Sequence, residues 1–212
     1  MKGNAFKGTT GIVLLFSGGV DSTVLAEMAL RKRKLTACVF VNYGQPPVVQ
    51  EGNTAEDWCE AHGVEFIDAS VNLPVLTMYA GTGEPGPRVV PLRNAVMLGI
   101  ACAHAARLGV NEVWYGAIAD DAPDYPDCRS SWIMDMNRIT EIEGVHVRAP
   151  LINKTKAEVL ALANAFGIDR AACWSCYEPT QDGRPCGSCN SCRQYAGPYR
   201  TDGKALYHAE EE

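Results

Sequence analysis

A short apolar run that ends in a glycine-containing turn is the feature that most restricts the fold of this chain. Residues 12–16 (Ile-Val-Leu-Leu-Phe) are followed directly by Ser17-Gly18-Gly19-Val20-Asp21-Ser22, after which the apolar spacing becomes helical. A buried strand that passes through two glycines into a helix presents unpaired amides at the helix N-terminus, where the dipole favours an anion. We therefore interpret residues 17–22, called the glycine loop below, as an anion-binding turn.

The side chains of the glycine loop are suited to a nucleotide and its metal ion. Ser17 and Ser22 supply hydroxyl donors, and Asp21 is suited to a Mg²⁺ ion that the phosphates share. The loop lacks the Gly-Lys-Ser/Thr ending of a P-loop. The alternative is an ordinary strand-to-helix turn in which Asp21 caps the helix, but a cap requires neither both glycines nor both serines.

Apolar strands alternate with helical patterns along most of the chain, which predicts an α/β fold with a doubly wound, parallel five-stranded sheet. Ligands of such sheets bind at the carboxyl ends of the strands, where the glycine loop lies. Residues 77–88, rich in glycine and proline, are predicted to form a loop, and no helix or strand is expected after Ala171. The predicted strands are residues 12–16, 35–42, 64–67, 112–115 and 145–148; the predicted helices are 21–30, 54–62, 94–108, 130–143 and 155–166, the last with a capping box from Thr155 to Glu158.

Length, charge and cysteine content restrict the class of protein. The 212 residues predict one α/β domain (residues 1–170) with a small metal-binding tail (171–212) packed on it. The net charge of −6 is unfavourable for extended nucleic-acid contacts, so no stable nucleic-acid binding is expected. No apolar stretch approaches the length that crosses a membrane. Nine cysteines without a secretory signal predict thiols in the reducing cytoplasm rather than a disulfide framework.

Five of the nine cysteines lie close together near the C-terminus. Cys186, Cys189 and Cys192 form two overlapping Cys-x-x-Cys steps, and Cys176 precedes them by ten residues. Four thiolates suit tetrahedral Zn²⁺, and an all-sulfur site has no position for water, so the predicted zinc is structural. Cys173 competes with Cys176 for the upstream position. An iron–sulfur cluster and a reactive redox pair are the alternatives.

The glycine loop resembles the pyrophosphate-binding loop of the N-type ATP pyrophosphatases, which transfer AMP from ATP to a substrate oxygen. Within that superfamily, Trp174-Ser175-Cys176-Tyr177 followed by Cys-Gly-x-Cys-x-x-Cys resembles the tail of the 7-cyano-7-deazaguanine synthases, ligases of the queuosine pathway. The resemblance extends over residues 12–193 and implies an adenine nucleotide alpha hydrolase-like, Rossmann-like fold. Other matching motifs are Tyr43-Gly44-Gln45, Val90-Pro91-Leu92-Arg93-Asn94, Tyr125-Pro126-Asp127-Cys128-Arg129, and Pro150-Leu151 with Lys156.

This resemblance implies an ATP-dependent ligase that converts 7-carboxy-7-deazaguanine and ammonia into the nitrile through an adenylated intermediate. It further implies Mg²⁺ with ATP, structural Zn²⁺ and a homodimer. The implied residues are Asp21, Lys156 and Arg93 for catalysis; Ser17, Gly18, Gly19, Asp21 and Ser22 for ATP; Tyr125, Asp127 and Arg129 for the deazapurine; and Cys176, Cys186, Cys189 and Cys192 for zinc.

From the residues alone, alternatives stay open for several of these positions. Lys156 in a first helical turn opposes the helix dipole, which is explained either by a nearby phosphate or by simple solvation. Arg93 is suited to a phosphate, to a carboxylate or to a surface salt bridge. Without the resemblance, residues 125–129 are interpreted as an ordinary turn, because Pro126 fixes φ and Asp127 stabilises turns.

The chain departs from the family pattern at two places, and these departures keep other functions open. The family commonly continues Tyr-Gly-Gln with Arg-His, whereas this chain has Pro46 and Pro47, and the stretch before Arg93 is shorter. One alternative is a member that stops at the amide or joins the deazapurine to another molecule. Others are a tRNA-modifying N-type ATP pyrophosphatase and a non-enzymatic nucleotide-binding or zinc-knuckle module.

Overall fold

The computed structural model describes residues 9–73, 76–79 and 85–195, and within these ranges no helix has both the length and the apolarity to cross a membrane. The strands are β1 (Thr9–Leu15), β2 (Leu35–Asn42), β3 (Glu65–Ser70), β4 (Leu76–Tyr79), β5 (Pro85–Val89), β6 (Val110–Trp114) and β7 (His146–Arg148). The α-helices are α1 (Val20–Arg31), α2 (Val48–His62), α3 (Arg93–Leu108), α4 (Ser130–Thr140), α5 (Lys156–Phe166) and α6 (Asn190–Tyr195).

β1 lies at the centre of a five-stranded sheet with the order β3-β2-β1-β6-β7. Every neighbouring pair in this sheet is parallel, which confirms the predicted doubly wound parallel sheet. The chain moves outward from β1 to β3 and then returns to place β6 on the other side of β1. The strand order therefore reverses between β1 and β6, and ligands of such sheets bind at the carboxyl ends of the strands beside this reversal.

Successive residues of β1 point to opposite faces of the sheet, and helices cover both faces. Ile12 and Leu14 pack with α1, α2 and α5, whereas Val13 packs with α3 and α4. All three side chains are at most 1 % exposed. The continuous apolar run of β1 is thus explained by burial on both sides, and each such side chain contributes about 1.5–3 kcal/mol.

The start of α5 is fixed by the predicted capping box. The Thr155 hydroxyl oxygen accepts a hydrogen bond from the Glu158 amide at 3.3 Å, and Glu158 Oε2 accepts one from the Thr155 amide at 2.8 Å. At the other end, Gly167 has a φ of 73°, the left-handed conformation that glycine adopts readily after a helix. Lys156 is therefore the first helical residue of α5.

The prediction of a loop over residues 77–88 is wrong at both ends of that segment. β4 and β5 form an antiparallel ribbon in which Leu76 pairs with Val89 and Thr77 pairs with Arg88. Prolines are tolerated in β5 because both strands of a two-stranded ribbon are edge strands. Gly81 and Gly83, which favoured the loop prediction, lie outside the described residues.

Two helices also differ from the predictions. α2 begins at Val48, before the predicted start at residue 54, although Gly52 and Asn53 disfavour a helix there. A Cβ atom on Gly52 would lie 3.2 Å from Cε1 of Phe40, so glycine lets α2 pack closely on β2. In the tail, where no helix was expected after Ala171, α6 begins just after a cysteine of the predicted metal site.

Candidate active site and metal centre

The glycine loop joins the carboxyl end of β1 to α1 and lies tightly between two other segments. Gly18 has a φ of +71°, and a Cβ atom there would lie 2.8 Å from Cγ2 of Thr54 in α2. A Cβ atom on Gly19 would lie 3.3 Å from the carbonyl oxygen of Trp174 in the tail. The two glycines therefore serve close packing, a role that the sequence motif does not reveal.

The N-terminus of α1 is not capped by a side chain of the described residues. Its N-cap is Gly19, so the alternative in which Asp21 caps this helix is wrong. Ser22 Oγ donates to the Gly19 carbonyl oxygen at 2.8 Å, and Ser17 Oγ lies 3.5 Å from Ser22 Oγ. The first amides of α1, together with two hydroxyl groups, are thus placed to bind an anion.

Lys156 and Asp21 form an ion pair beside the glycine loop. Lys156 Nζ donates to both carboxylate oxygens of Asp21, at 2.8 and 2.9 Å. The two side chains are 17 % and 23 % exposed, so the pair is largely buried. The fold therefore brings together two residues that lie far apart in the sequence.

Asp120 and Asp121, which the sequence motifs missed, lie in the turn that follows β6. Asp120 Oδ2 accepts a hydrogen bond from the Lys156 amide at 2.7 Å, which fixes the start of α5 against this turn. Burial raises the pKa of Asp121, and the charge of Asp21 raises it further, while Lys156 lowers it. The signal was two adjacent carboxylates just beyond the carboxyl end of β6.

Arg93 begins α3 and lies beside Tyr43, which follows β2. Its guanidinium carbon is 5.9 Å from the centroid of the Tyr43 ring, and Nη1 donates to the Tyr43 hydroxyl at 3.5 Å. Arg93 Nε is buried and has no hydrogen-bond partner among the described residues. Burial lowers the pKa of Arg93, but Tyr43, Asp127 and Tyr125 outweigh this and raise it. Arg93, Tyr125 and Asp127 thus share one electrostatic environment.

Two sets of hydrogen bonds hold the turn over residues 125–129: one is accepted by its backbone, and the others are donated by the side chain of Arg129. The Tyr115 hydroxyl donates to the Asp127 carbonyl oxygen at 2.7 Å. The exposed Arg129 donates through Nε to the Ala122 carbonyl oxygen at 2.9 Å and through Nη2 to that of Pro123 at 3.2 Å. Arg129 therefore braces the preceding turn in this structure, and its contact with substrate stays a prediction.

Cys128, in the middle of this turn, has the properties of a packed thiol. The residue is 7 % exposed. Burial, followed by the charge of Asp127, raises the pKa of Cys128 to about 12. Because the thiolate is the nucleophile, such a cysteine is unreactive at neutral pH.

Four cysteines of the tail converge into a cluster, called the cysteine knuckle below. The sulfur atoms of Cys176, Cys186, Cys189 and Cys192 all lie within 4.8 Å of one another. The amides of Cys186, Cys189 and Cys192 donate to cluster sulfurs at 3.2, 3.2 and 3.4 Å. Burial opposes ionisation of Cys186, but hydrogen bonds from the amides of Ser188 and Cys189 outweigh it and lower its pKa to about 6. This donor set could hold a metal ion in tetrahedral geometry.

Cys173 lies outside the cysteine knuckle. Its Sγ is 3.7 Å from the hydroxyl oxygen of Thr23 and 3.7 Å from the carbonyl oxygen of Asp169. Burial raises the pKa of Cys173 to about 11. Cys173 thus packs the start of the tail against α1, and Cys176 is the upstream member of the cluster.

The tail also reaches the glycine loop. The Trp174 amide donates to the Gly18 carbonyl oxygen at 3.0 Å, and Trp174 Nε1 donates to the Cys176 carbonyl oxygen at 2.9 Å. Burial, followed by the charges of Asp121, Tyr125 and Asp21, raises the pKa of Tyr177 to about 12. The segment that leads into the cysteine knuckle therefore contacts the glycine loop directly.

Comparison with known proteins identifies the family. Residues 11–202 match the family described as "Queuosine biosynthesis protein QueC". The chain belongs to this family. A 7-cyano-7-deazaguanine synthase of Chromohalobacter salexigens is 33% identical to it, covering 92% of this chain and 84% of the relative. One of Marinobacter nauticus is 30% identical, covering 92% and 95%.

The family assignment confirms the resemblance that the glycine loop and the cysteine motif predicted. It also confirms that the chain belongs to a family of enzymes, since its relatives are named as synthases. The roles of the individual site residues stay predictions.

A solved structure with a similar fold is the U34-tRNA thiolase NcsA from Methanococcus maripaludis, determined with its [4Fe-4S] cluster. The TM-score is 0.55 at 18% sequence identity, covering 91% of this chain and 64% of the thiolase. At this level of identity the similarity supports a shared fold alone.

Proposed function

We propose that the chain is an ATP-dependent ligase that converts 7-carboxy-7-deazaguanine and ammonia into 7-cyano-7-deazaguanine. The observation that carries this proposal is the glycine loop beside the Asp21–Lys156 pair, at the carboxyl end of β1, in a chain of this family. A carboxylate is a poor acyl donor, so it first takes AMP from ATP. Ammonia then displaces AMP to give the amide, and a second adenylation, on the amide oxygen, allows elimination to the nitrile.

The glycine loop is the proposed site of the departing pyrophosphate. Ser17, Gly18, Gly19 and Ser22 supply hydroxyl and amide donors at the uncapped start of α1. Asp21 would hold Mg²⁺, which supplies neutralising charge for the phosphates when bound. Lys156 would exchange its bonds to Asp21 for the phosphates and stabilise the negative charge that develops during transfer.

The deazapurine is proposed to bind between α3 and the turn over residues 125–129. Asp127 has the chemistry to accept hydrogen bonds from a guanine-like ring, and Tyr125 is suited to stack on it. Arg93 is suited to pair with the substrate carboxylate. Because the charge of Asp127 acts on Arg93, we place the carboxylate of the deazapurine near Arg93 and its ring near Asp127. Arg129 is the remaining residue proposed to bind the deazapurine. To do so, its guanidinium would have to leave the two carbonyl oxygens to which it donates in this structure.

The cysteine knuckle is proposed to bind structural Zn²⁺. Its four sulfurs would fill all positions of a tetrahedral ion, so no position is open for catalytic water. The alternative, an iron–sulfur cluster, predicts visible absorption and iron in the purified protein. Metal analysis of protein purified without added zinc distinguishes the two.

The direct test is incubation with ATP, Mg²⁺, ammonium and 7-carboxy-7-deazaguanine, followed by measurement of pyrophosphate, AMP and product mass. The proposal predicts AMP, pyrophosphate and the nitrile, all dependent on the acid. Release of ADP and phosphate, or turnover that does not depend on the acid, would contradict it.

A second candidate is a family member that stops at the amide or attaches the deazapurine to another molecule. It is favoured by Pro46 and Pro47, which stand directly before α2 and next to the buried Gln45. The same mass measurement separates nitrile, amide and conjugate. Stable tRNA binding at physiological salt would instead favour a tRNA-modifying enzyme.

The remaining proposals concern assembly and location. The family resemblance implies a homodimer, which light scattering coupled to size-exclusion chromatography tests. The tail of residues 171–212 is proposed as an appendage of the α/β domain of residues 1–170; residues 1–8 and 196–212 lie outside the described residues. A cytoplasmic location follows from the reduced thiols that the proposed zinc site requires.

A further inference from the structure

Glu51 is a buried carboxyl group that lies outside the residues proposed above for catalysis and binding. It lies in the first turn of α2, and Thr54 and Ala55 follow it by three and four residues on the same helix face. That face touches the glycine loop, because a Cβ atom on Gly18 would lie 2.8 Å from Cγ2 of Thr54 and 3.1 Å from the Ala55 nitrogen. Glu51 is therefore one helical turn away from this contact.

Glu51 also interacts with Gln45 and Arg93. Gln45 Nε2 donates to Glu51 Oε2 at 3.0 Å, and Gln45 Oε1 accepts from the Tyr43 amide at 2.9 Å, so the Gln45 amide is held from both ends. The Arg93 charge also acts on Glu51, and the same arginine interacts with Asp127. Glu51 thus lies between the proposed pyrophosphate site and the proposed deazapurine site.

The electrostatic surroundings of Glu51 favour proton exchange near neutral pH. Burial raises its pKa to about 7, and the hydrogen bond from Gln45 and the charge of Arg93 lower it only in part. Among the described residues, the charged group that acts on it is Arg93 from α3, whose Nη1 donates to the Tyr43 hydroxyl at the end of β2. A general base is most effective when its pKa is close to the working pH.

We propose that Glu51 is the general base of the amide-forming step; this inference rests on the proposed function. The lone pair of ammonia forms the new C–N bond to the adenylated carboxyl carbon, the π pair of the C=O bond moves to the carbonyl oxygen, and one N–H proton passes to the Glu51 carboxylate. The C=O bond then re-forms as the C–O bond to AMP breaks, and the electron pair of that C–O bond leaves on the AMP oxygen. Because the bond from Gln45 uses Oε2, the proton is assigned to Oε1.

The test separates adenylation from amide formation in the full-length protein. Wild type and Glu51→Gln are each mixed with Mg²⁺, ATP and 7-carboxy-7-deazaguanine, and the rate of pyrophosphate release is measured. Ammonium is then added, the reaction is quenched at intervals, and the amide is quantified at pH values from 5.5 to 8.5. Glu51→Gln is expected to slow amide formation at least about 100-fold more than adenylation. Each amide rate is divided by the concentration of unprotonated ammonia, which itself rises with pH. The corrected wild-type rate should rise with an apparent pKa of about 7, and this rise should be lost in the variant.

Glu56→Gln is the matched control, because Glu56 is an exposed carboxylate of the same helix and its change should move neither rate. Amide formation by Glu51→Gln within about threefold of wild type, with the pH dependence retained, would overturn the inference. If Glu51→Gln does not fold, Glu51→Asp replaces it: the shortened carboxylate should slow amide formation and keep the pH dependence, and an unchanged rate would count against Glu51.

Failure of the inference is distinguishable from failure of the proposed function. If wild type releases no pyrophosphate with the deazapurine acid, the proposed function fails and the inference falls with it. If wild type adenylates the acid and both Glu51 variants still form amide at the wild-type rate, the inference alone fails.

Discussion

Lys156 and Asp21 carry the largest share of the proposed chemistry among single residues. Lys156 stands at the first position of α5, where its charge opposes the helix dipole, and the carboxylate of Asp21 now compensates for this. Because Lys156 bonds both oxygens of Asp21, an incoming phosphate and its cation can each take one member of the pair.

Replacing Lys156 with alanine should slow adenylation by about 100-fold or more, because a preorganised cation would be lost from the transferring phosphate. Pyrophosphate release with the deazapurine acid measures this loss. Lys154→Ala is the matched control: Lys154 is a half-buried lysine two residues earlier whose Nζ lies 3.0 Å from Oε1 of Glu158. Near-normal turnover of Lys156→Ala would remove Lys156 from the mechanism.

Glu51 should make the stability of the protein depend on pH. Its folded pKa of about 7 lies above the usual value for glutamate, so the folded state favours the neutral form. Its stabilising contribution is complete below about pH 4.5 and is lost as the pH rises through 7. Between pH 5 and pH 8 the free energy of unfolding should fall by up to about 3 kcal/mol more in wild type than in Glu51→Gln.

Urea unfolding at the two pH values measures this difference, with Glu56→Gln as the control that keeps the wild-type dependence. Parallel pH dependence of wild type and Glu51→Gln would show that the Glu51 carboxyl is not destabilised in its charged form.

The tail connects two elements that the sequence presents as separate motifs. Trp174 donates from its amide to the glycine loop and from its indole nitrogen to the carbonyl oxygen of Cys176. A metal in the cysteine knuckle would therefore fix the segment that supports the glycine loop. Loss of the metal should act on ATP chemistry through this support, although the cysteines themselves are predicted to have no catalytic role.

Cys189→Ser should lose the bound metal, lower the melting temperature and reduce pyrophosphate release, because three thiolates bind zinc less tightly than four. Metal analysis, thermal unfolding and turnover are measured on the same preparation. Cys173→Ser is the control and should keep one equivalent of metal per chain, since the Cys173 sulfur contacts Thr23 and Asp169 instead of the knuckle. A folded, metal-loaded but inactive Cys189→Ser would indicate a catalytic thiol instead.

Across the whole molecule, local patterns in the sequence predicted the sheet but not the contacts that complete the site. The five parallel strands could be predicted because strands buried on both faces need continuous apolar runs, and such runs, as in β1, are visible in the sequence. The antiparallel ribbon of β4 and β5 was missed because prolines and glycines in this segment favour the prediction of a loop. Glu51 was missed because Arg93 comes to it only through tertiary packing. The bond from Trp174 to Gly18 was missed because it spans most of the chain.

The path of the carboxylate oxygen tests the central claim, adenylation of a purine-like acid at the glycine loop, most directly. The acid is prepared with oxygen-18 in its carboxyl group and incubated with Mg²⁺, ATP and ammonium, and the AMP is analysed by mass spectrometry. The account predicts AMP that carries one oxygen-18 for each activation, because the bond between carbon and that oxygen breaks both when ammonia displaces AMP and when the nitrile is formed by elimination. Unlabelled AMP, or label in inorganic phosphate with release of ADP, would contradict it.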